Sequence, residues 1–290
     1  MKRSQLLVVA LLTFFVGVGG NCSRARVESM NKLNEGVVAA QQKRFVDAVK
    51  LLEQAGVIDP QNDQVFWNMA IVHMEMRKYD RARDDLQKGI AISPNAASYH
   101  EKLGTVLMEL KDWQAAKPAL EKAIQIEPDL FKAYYKLAQV DEQLDDQQNA
   151  MKQYSMAVEK GPRFLEAYSS LGRLYADLGY LEQSVQVLNE ALKVALKGTE
   201  EEAQVHHLLG TVLQQQKKFD QAIAEFRAAL DVVPGMRDAL FSLGWTYSLK
   251  GNKEEAKRFL QKFVDVAGAE APAHYVKAAR DKLSEMAEGF

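Results

Sequence analysis

The sequence predicts an all-α solenoid of stacked helical hairpins, and three observations carry that expectation. Pro60, Pro94, Pro128 and Pro162 each stand 34 residues apart. The same apolar and small positions recur between them and beyond, so that seven units can be read from Ser29 to Glu270. Within one unit, Ala203–Met236, two amphipathic stretches flank the short polar turn QKKFD. A fixed period of this kind is set by stacking geometry, because one hairpin cannot bury its own apolar face and needs neighbours.

The unit 203–236 shows the physics. His206, Leu209, Gly210 and Leu213 are spaced to share one face of a first helix, with a small residue where another backbone can come close. Ala222, Phe226 and Ala229 do the same on a second helix. The turn between them is short enough to force an antiparallel pair, and Pro234 ends the second helix. Counted from Ala203, the marks Leu209, Gly210, Phe219, Ala222, Phe226, Ala229 and Pro234 fall at positions 7, 8, 17, 20, 24, 27 and 32. This pattern resembles the tetratricopeptide repeat, a helix-turn-helix of 34 residues. The resemblance implies a right-handed superhelical solenoid of about seven repeats plus a C-terminal capping helix.

The amino terminus stands apart from the array. Lys2 and Arg3 precede an uncharged run from Leu6 to Gly20 that ends in small residues, the layout of a secretory signal over residues 1–21. The run is shorter than the roughly 17 to 25 residues that span a bilayer as a helix. Cys22, the only cysteine, follows directly and Ser23 comes next, which resembles the lipid-attachment site of bacterial lipoproteins. Gly19 and Asn21 depart from that pattern, which has an aliphatic residue and Gly or Ala at those places. The alternative is ordinary cleavage after Gly20 with a free thiol. With a lipid on Cys22 the protein would be exported and tethered to the outer membrane, residues 22–28 forming a short linker; without it, secreted and soluble.

The repeats follow as 29–62, 63–96, 97–130, 131–164, 165–202, 203–236 and 237–270, with residues 271–290 as cap and tail. Pro118 lies inside the second helix of the third repeat and predicts a mild kink or a late start there. Gln147 replaces an aromatic in the fourth repeat, which predicts a looser turn, and the acidic run Asp141, Glu142, Asp145 and Asp146 reads as solvated. The fifth repeat lacks its closing proline and carries four extra residues. There Gly198 is expected to end the second helix, and Thr199 with Glu202 makes a capping box that starts the next helix early. In the last segment Pro272 suits a first helical turn, and Tyr275, Ala279, Leu283 and Met286 form an apolar stripe against Lys277, Arg280, Asp281 and Glu285, as a terminal cap requires.

Function follows from the resemblance and from what the composition excludes. In this family the first helices line a concave groove, and the positions that face a ligand carry Trp67, Asn68, Ile71 and Met74, then Glu101, Lys102, Thr105 and Met108, then Lys132, Tyr135, Lys136 and Gln139, then Glu166, Ser169 and Arg173, with Phe241 and Trp245 near the end. Lys102, Lys132, Lys136 and Arg173 make the middle of the groove basic, and Trp67, Tyr135 and Met74 offer apolar anchors for a peptide. Lys and Glu mix on these faces, so an ordinary solvated face is the alternative.

A net charge of −2 gives no case for nucleic acid, and one cysteine excludes a disulfide framework or thiolate metal site. His206 and His207 are adjacent and point to different faces, so no metal site, cofactor or catalytic set is expected. The resemblance therefore implies a non-enzymatic scaffold of the bacterial cell envelope that binds a peptide segment of a partner. Exported proteins of similar layout include pilotin-like assembly factors. A self-associating structural protein, or a regulatory subunit that positions a cell-wall enzyme, are the alternatives.

Overall fold

The computed structural model describes residues 24–268 and 272–288. Residues 1–21, expected as a signal segment, and Cys22 lie outside the described residues. All regular structure among the described residues is helical, in fifteen helices, as the all-α solenoid requires. The chain divides into two compact units, Met1–Ala150 and Met151–Phe290.

The first unit is built from α1 (Arg24–Gln41), α2 (Phe45–Ile58), α3 (Asp63–Glu75), α4 (Tyr79–Ile92), α5 (Ala97–Glu109), α6 (Trp113–Ile126) and α7 (Phe131–Gln143). Residues 24–28, expected as linker, continue α1 as helix. Apolar positions of each first helix pack back on the preceding pair. Val65, Met69 and Val72 of α3 are buried, and Tyr99 and Val106 of α5 and Leu137 and Val140 of α7 repeat the arrangement. In α1 the corresponding places hold Asn31, Glu35 and Val38, all exposed, so this edge of the stack is mostly polar.

The division between the units falls within α8 (Gln147–Lys160). The second unit continues through α9 (Leu165–Asp177), α10 (Leu181–Val194), α11 (Glu200–Gln215), α12 (Phe219–Val232), α13 (Arg237–Leu249), α14 (Lys253–Ala267) and α15 (Ala273–Ala287). One core joins Leu188, Leu209, Phe226, Leu243, Leu260 and Phe263, and Val276, Ala279, Leu283 and Met286 of α15 close it. A Cβ on Gly210 would lie 2.6 Å from the Phe226 ring, which is why the first helix carries a glycine where the second comes closest.

The turns within the hairpins share one device that the sequence pattern does not announce. Lys43, Arg77, Lys111, Asp145, Gly179, Lys217 and Gly251 all have positive φ between 56° and 82°, and each occupies the same place in its repeat. Five of the seven are not glycine, so packing on either side imposes the left-handed turn.

Four local expectations are corrected. α6 begins at Trp113, where its counterparts begin at Tyr79 and Phe219, so Pro118 does not delay it. The Asp112 side chain accepts from the Ala115 N–H and secures the start of the helix. The turn before Gln147 is as tight as the others. The Asp146 N–H donates to Asp141 O at 2.9 Å, and the Asp146 carboxylate caps Asn149 through its backbone N–H at 3.3 Å and its side chain at 2.7 Å.

Asp141 is not solvated. It is fully buried, with Oδ1 2.7 Å from Lys117 Nζ of α6, and Asp146 lies 3.5 Å from the same ammonium. Finally, α10 ends at Val194, before Gly198, which takes a φ of 76° inside the connecting loop. Thr199 does cap α11, which starts at Glu200. The Glu202 carboxylate reaches back to the Gly198 N–H at 2.7 Å and to Lys197 at 2.6 Å.

Candidate peptide-binding groove

Side chains on neighbouring first helices meet across the inner face of each unit, and the same offset recurs. In the first unit Lys102 of α5 lies over the Trp67 ring of α3, 5.8 Å from its centroid. One repeat further, Lys136 of α7 pairs with the Glu101 carboxylate of α5 and donates to Thr105 Oγ1 at 2.6 Å. In the second unit His207 Nε2 and Ser242 Oγ lie 3.1 Å apart, and Gln214 donates to Thr246 at 2.7 Å, joining α11 to α13. Trp67 to Lys102, Glu101 to Lys136 and His207 to Ser242 are each 35 residues apart, so the first helices of a unit form one continuous face.

The floor of this face in the first unit is aromatic. Trp67 packs edge-on against Tyr99, with ring centroids 5.1 Å apart, and the buried Tyr99 hydroxyl donates to Asp63 O at 2.6 Å. Burial pushes the Tyr99 phenol well above its ordinary range, with the Asp63 charge adding to it. Trp67 and Met74 rest on the core made by Ala70, Leu86 and Tyr99, so each is part core and part surface.

Above them Lys102 is half-buried. Burial, and after it the charges of Lys136 and Lys132, lower its pKa, while Glu101 partly offsets this. Lys132 is exposed, with Nζ 5.9 Å over the Phe131 ring. Tyr135 is half-buried on the same helix.

The sequence-predicted residues therefore separate. Trp67, Met74, Lys102, Lys132, Tyr135 and Lys136 belong to the face of α3, α5 and α7. Asn68 is buried, and its side chain donates to Gln64 O of its own helix at 2.7 Å. Arg173 lies in the second unit on α9, exposed, and pairs with Asp177 one turn on at 3.1 Å. Phe241 is half-buried, with Phe263 and Tyr275 of the cap packed on its ring at 5.3 and 4.8 Å.

The histidines point apart, His206 to Glu225 of α12 at 2.7 Å and His207 to Ser242 of α13. Burial lowers the His207 pKa, and Asp238 opposes that. Among the described residues no three His, Cys, Asp or Glu side chains gather as metal ligands. What the sequence reading missed is the pairing of Glu101 with Lys136, although opposite charges one position apart in successive repeats are its signal.

Comparison with known proteins places the array. The tetratricopeptide repeat model matches residues 39–104, 101–164, 163–235 and 201–268. No curated protein sequence matches the chain. The chain is similar in structure to the C-terminal part of a TPR repeat-containing protein from Cytophaga hutchinsonii, with TM-score 0.70 and 13% identity over 87% of this chain and 99% of that one. PilF of Pseudomonas aeruginosa gives TM-score 0.60 at 16% identity, covering 75% and 97%. YrrB, described as a TPR protein with an unusual peptide-binding site, gives 0.55 at 21%, covering 68% and 97%. Identities this low speak for the shared fold alone. With helix pairs recurring in one register and the family pattern matched from residue 39 to residue 268, the chain belongs to the tetratricopeptide repeat family.

Proposed function

We propose that this chain is a non-enzymatic protein-interaction scaffold of the bacterial cell envelope, and that the face of α3, α5 and α7 takes a peptide segment of a partner. One observation carries the reading: a half-buried ammonium, Lys102, sits over an aromatic floor with Lys132 and Lys136 close enough to lower its pKa. A carboxylate or phosphate arriving there pairs with the half-buried Lys102 and adds to the offset that Glu101 already gives, and an apolar neighbour covers Trp67. The face is built from helices packed on a core, so the scaffold loses little conformational freedom on binding.

A photo-reactive residue at Tyr135 tests this. It is expected to capture a defined envelope protein that the same residue at Val57, 82% exposed on α2, does not.

The envelope setting rests on the amino-terminal segment. Lys2 and Arg3, the uncharged run and Cys22 support export with a lipid on Cys22, and an exported scaffold of this architecture suits the assembly of an envelope machine. Metabolic acyl labelling is expected to mark the wild-type protein and to vanish in Cys22→Ala; label that survives the substitution contradicts the anchor.

A further inference from the structure

The proposed groove contains a carboxylate of its own. Glu101 lies on α5 beside Lys102 in the chain and pairs across the helices with Lys136, the two side chains being 13% and 21% exposed. Thr105 Oγ1 accepts from the same ammonium at 2.6 Å, so two of its three donors are directed inside the protein. Lys102, by contrast, is directed at the Trp67 indole, and Lys132 at the Phe131 ring. An aromatic face attracts a cation without cancelling its charge. Lys136 thus makes the direct ion pair with Glu101, while Lys102 and Lys132 lie over rings and Lys102 feels the Glu101 charge without being bonded to it.

We infer that Glu101 is an internal competitor, held where a carboxylate of an acidic partner segment docks, so that binding exchanges the protein's carboxylate for the partner's on Lys136. This rests on the groove reading above and gives it a ligand class: a segment with acidic side chains beside an apolar residue that covers Trp67. In the empty groove Glu101 satisfies a half-buried ammonium that would otherwise lack a counter-charge. When an acidic segment arrives, the released Glu101 lies beside it and repels it, which weakens binding. A basic segment gains nothing, because Lys102 and Lys132 remain.

Isothermal titration of the full chain with a blocked octapeptide of alternating Glu and Leu, and with its Gln and Leu counterpart, tests the inference. Glu101→Gln keeps the shape and removes the charge. It is expected to tighten the Glu peptide about five- to tenfold and to leave the Gln peptide unchanged, with an unaltered far-ultraviolet dichroism spectrum. Equal or weaker binding of the Glu peptide in Glu101→Gln overturns the inference and makes Glu101 a support for Lys136. If neither protein prefers the Glu peptide, the inference also falls, and capture from Tyr135 then decides separately whether the groove reading survives.

Discussion

Gly89→Ala is expected to destabilise the protein by about 3 kcal/mol, whereas the same substitution at Gly56, a different position of the preceding repeat, is expected to stabilise it by about 0.5–1 kcal/mol. Both glycines lie in second helices, α4 and α2, where alanine is intrinsically the better residue. The surroundings decide the sign. A Cβ on Gly89 would stand 2.2 Å from Tyr99 Cε1 and 2.8 Å from Cδ1.

The Tyr99 ring has nowhere to go. It is 5% exposed, stacked edge-on with Trp67, and its hydroxyl is fixed to Asp63 O. Relieving the clash breaks that hydrogen bond or separates α4 from α5. At Gly56 the nearest atom is Val65 Cγ1 at 3.4 Å, an ordinary contact. Urea denaturation of the two variants reads the difference directly. Because Tyr99 supports Trp67, Gly89→Ala is also expected to weaken binding at the groove, and Gly56→Ala to leave it alone.

Lys117→Met is expected to cost about 2–3 kcal/mol at neutral pH, since it leaves the Asp141 carboxylate buried without its counter-ion. This is at or below the lower end of the usual range of about 3–5 kcal/mol, because the Lys117 side chain is 28% exposed and water can approach the vacated site. In the native protein burial pushes the Asp141 pKa up, and Lys117 pulls it back. Loss of the lysine leaves the upward push unopposed.

A carboxyl whose folded pKa lies above its unfolded value binds more protons in the folded state across that window, so stability falls as pH rises through it and returns on acidification. The deficit of Lys117→Met relative to wild type should therefore shrink as pH is lowered from 7 towards 4. The double variant Lys117→Met/Asp141→Leu, which removes both charges, should recover most of the loss at pH 7. Denaturation midpoints for the three proteins at both pH values check the sign. A deficit that grows on acidification contradicts it.

What could be read in the sequence was whatever stacking repeats. The hairpin order, the glycine at Gly210 against Phe226 and the apolar stripe of α15 recur or follow from the period, and the structure holds them. What could not be read depends on one neighbour at one place. Asp141 is polar and sits in an acidic run, and only the reach of Lys117 from the preceding helix makes it a buried half of an ion pair. Lys111 and Asp145 carry no sign of a left-handed turn, because the packed helices on both sides impose it.

Pro118, the sixth residue of α6, does not delay the start of the helix, because Asp112 caps it from outside. In the groove, the side-chain types were legible but their partners were not. Asn68 turns onto its own helix, Lys136 onto Glu101, and Phe241 packs against Tyr275 of the cap, distant in the chain though adjacent in space.

The claim that the face of α3, α5 and α7 is the working surface is tested most directly by photo-crosslinking in the native cell, with the reactive residue at Tyr135 and, as control, at Val57. The predicted result is one defined envelope protein captured from Tyr135 alone, joined through a segment rich in acidic residues. Capture from Val57 alone, or of a second copy of this chain from either position, would contradict the account and move the function to the outer surface or to self-association.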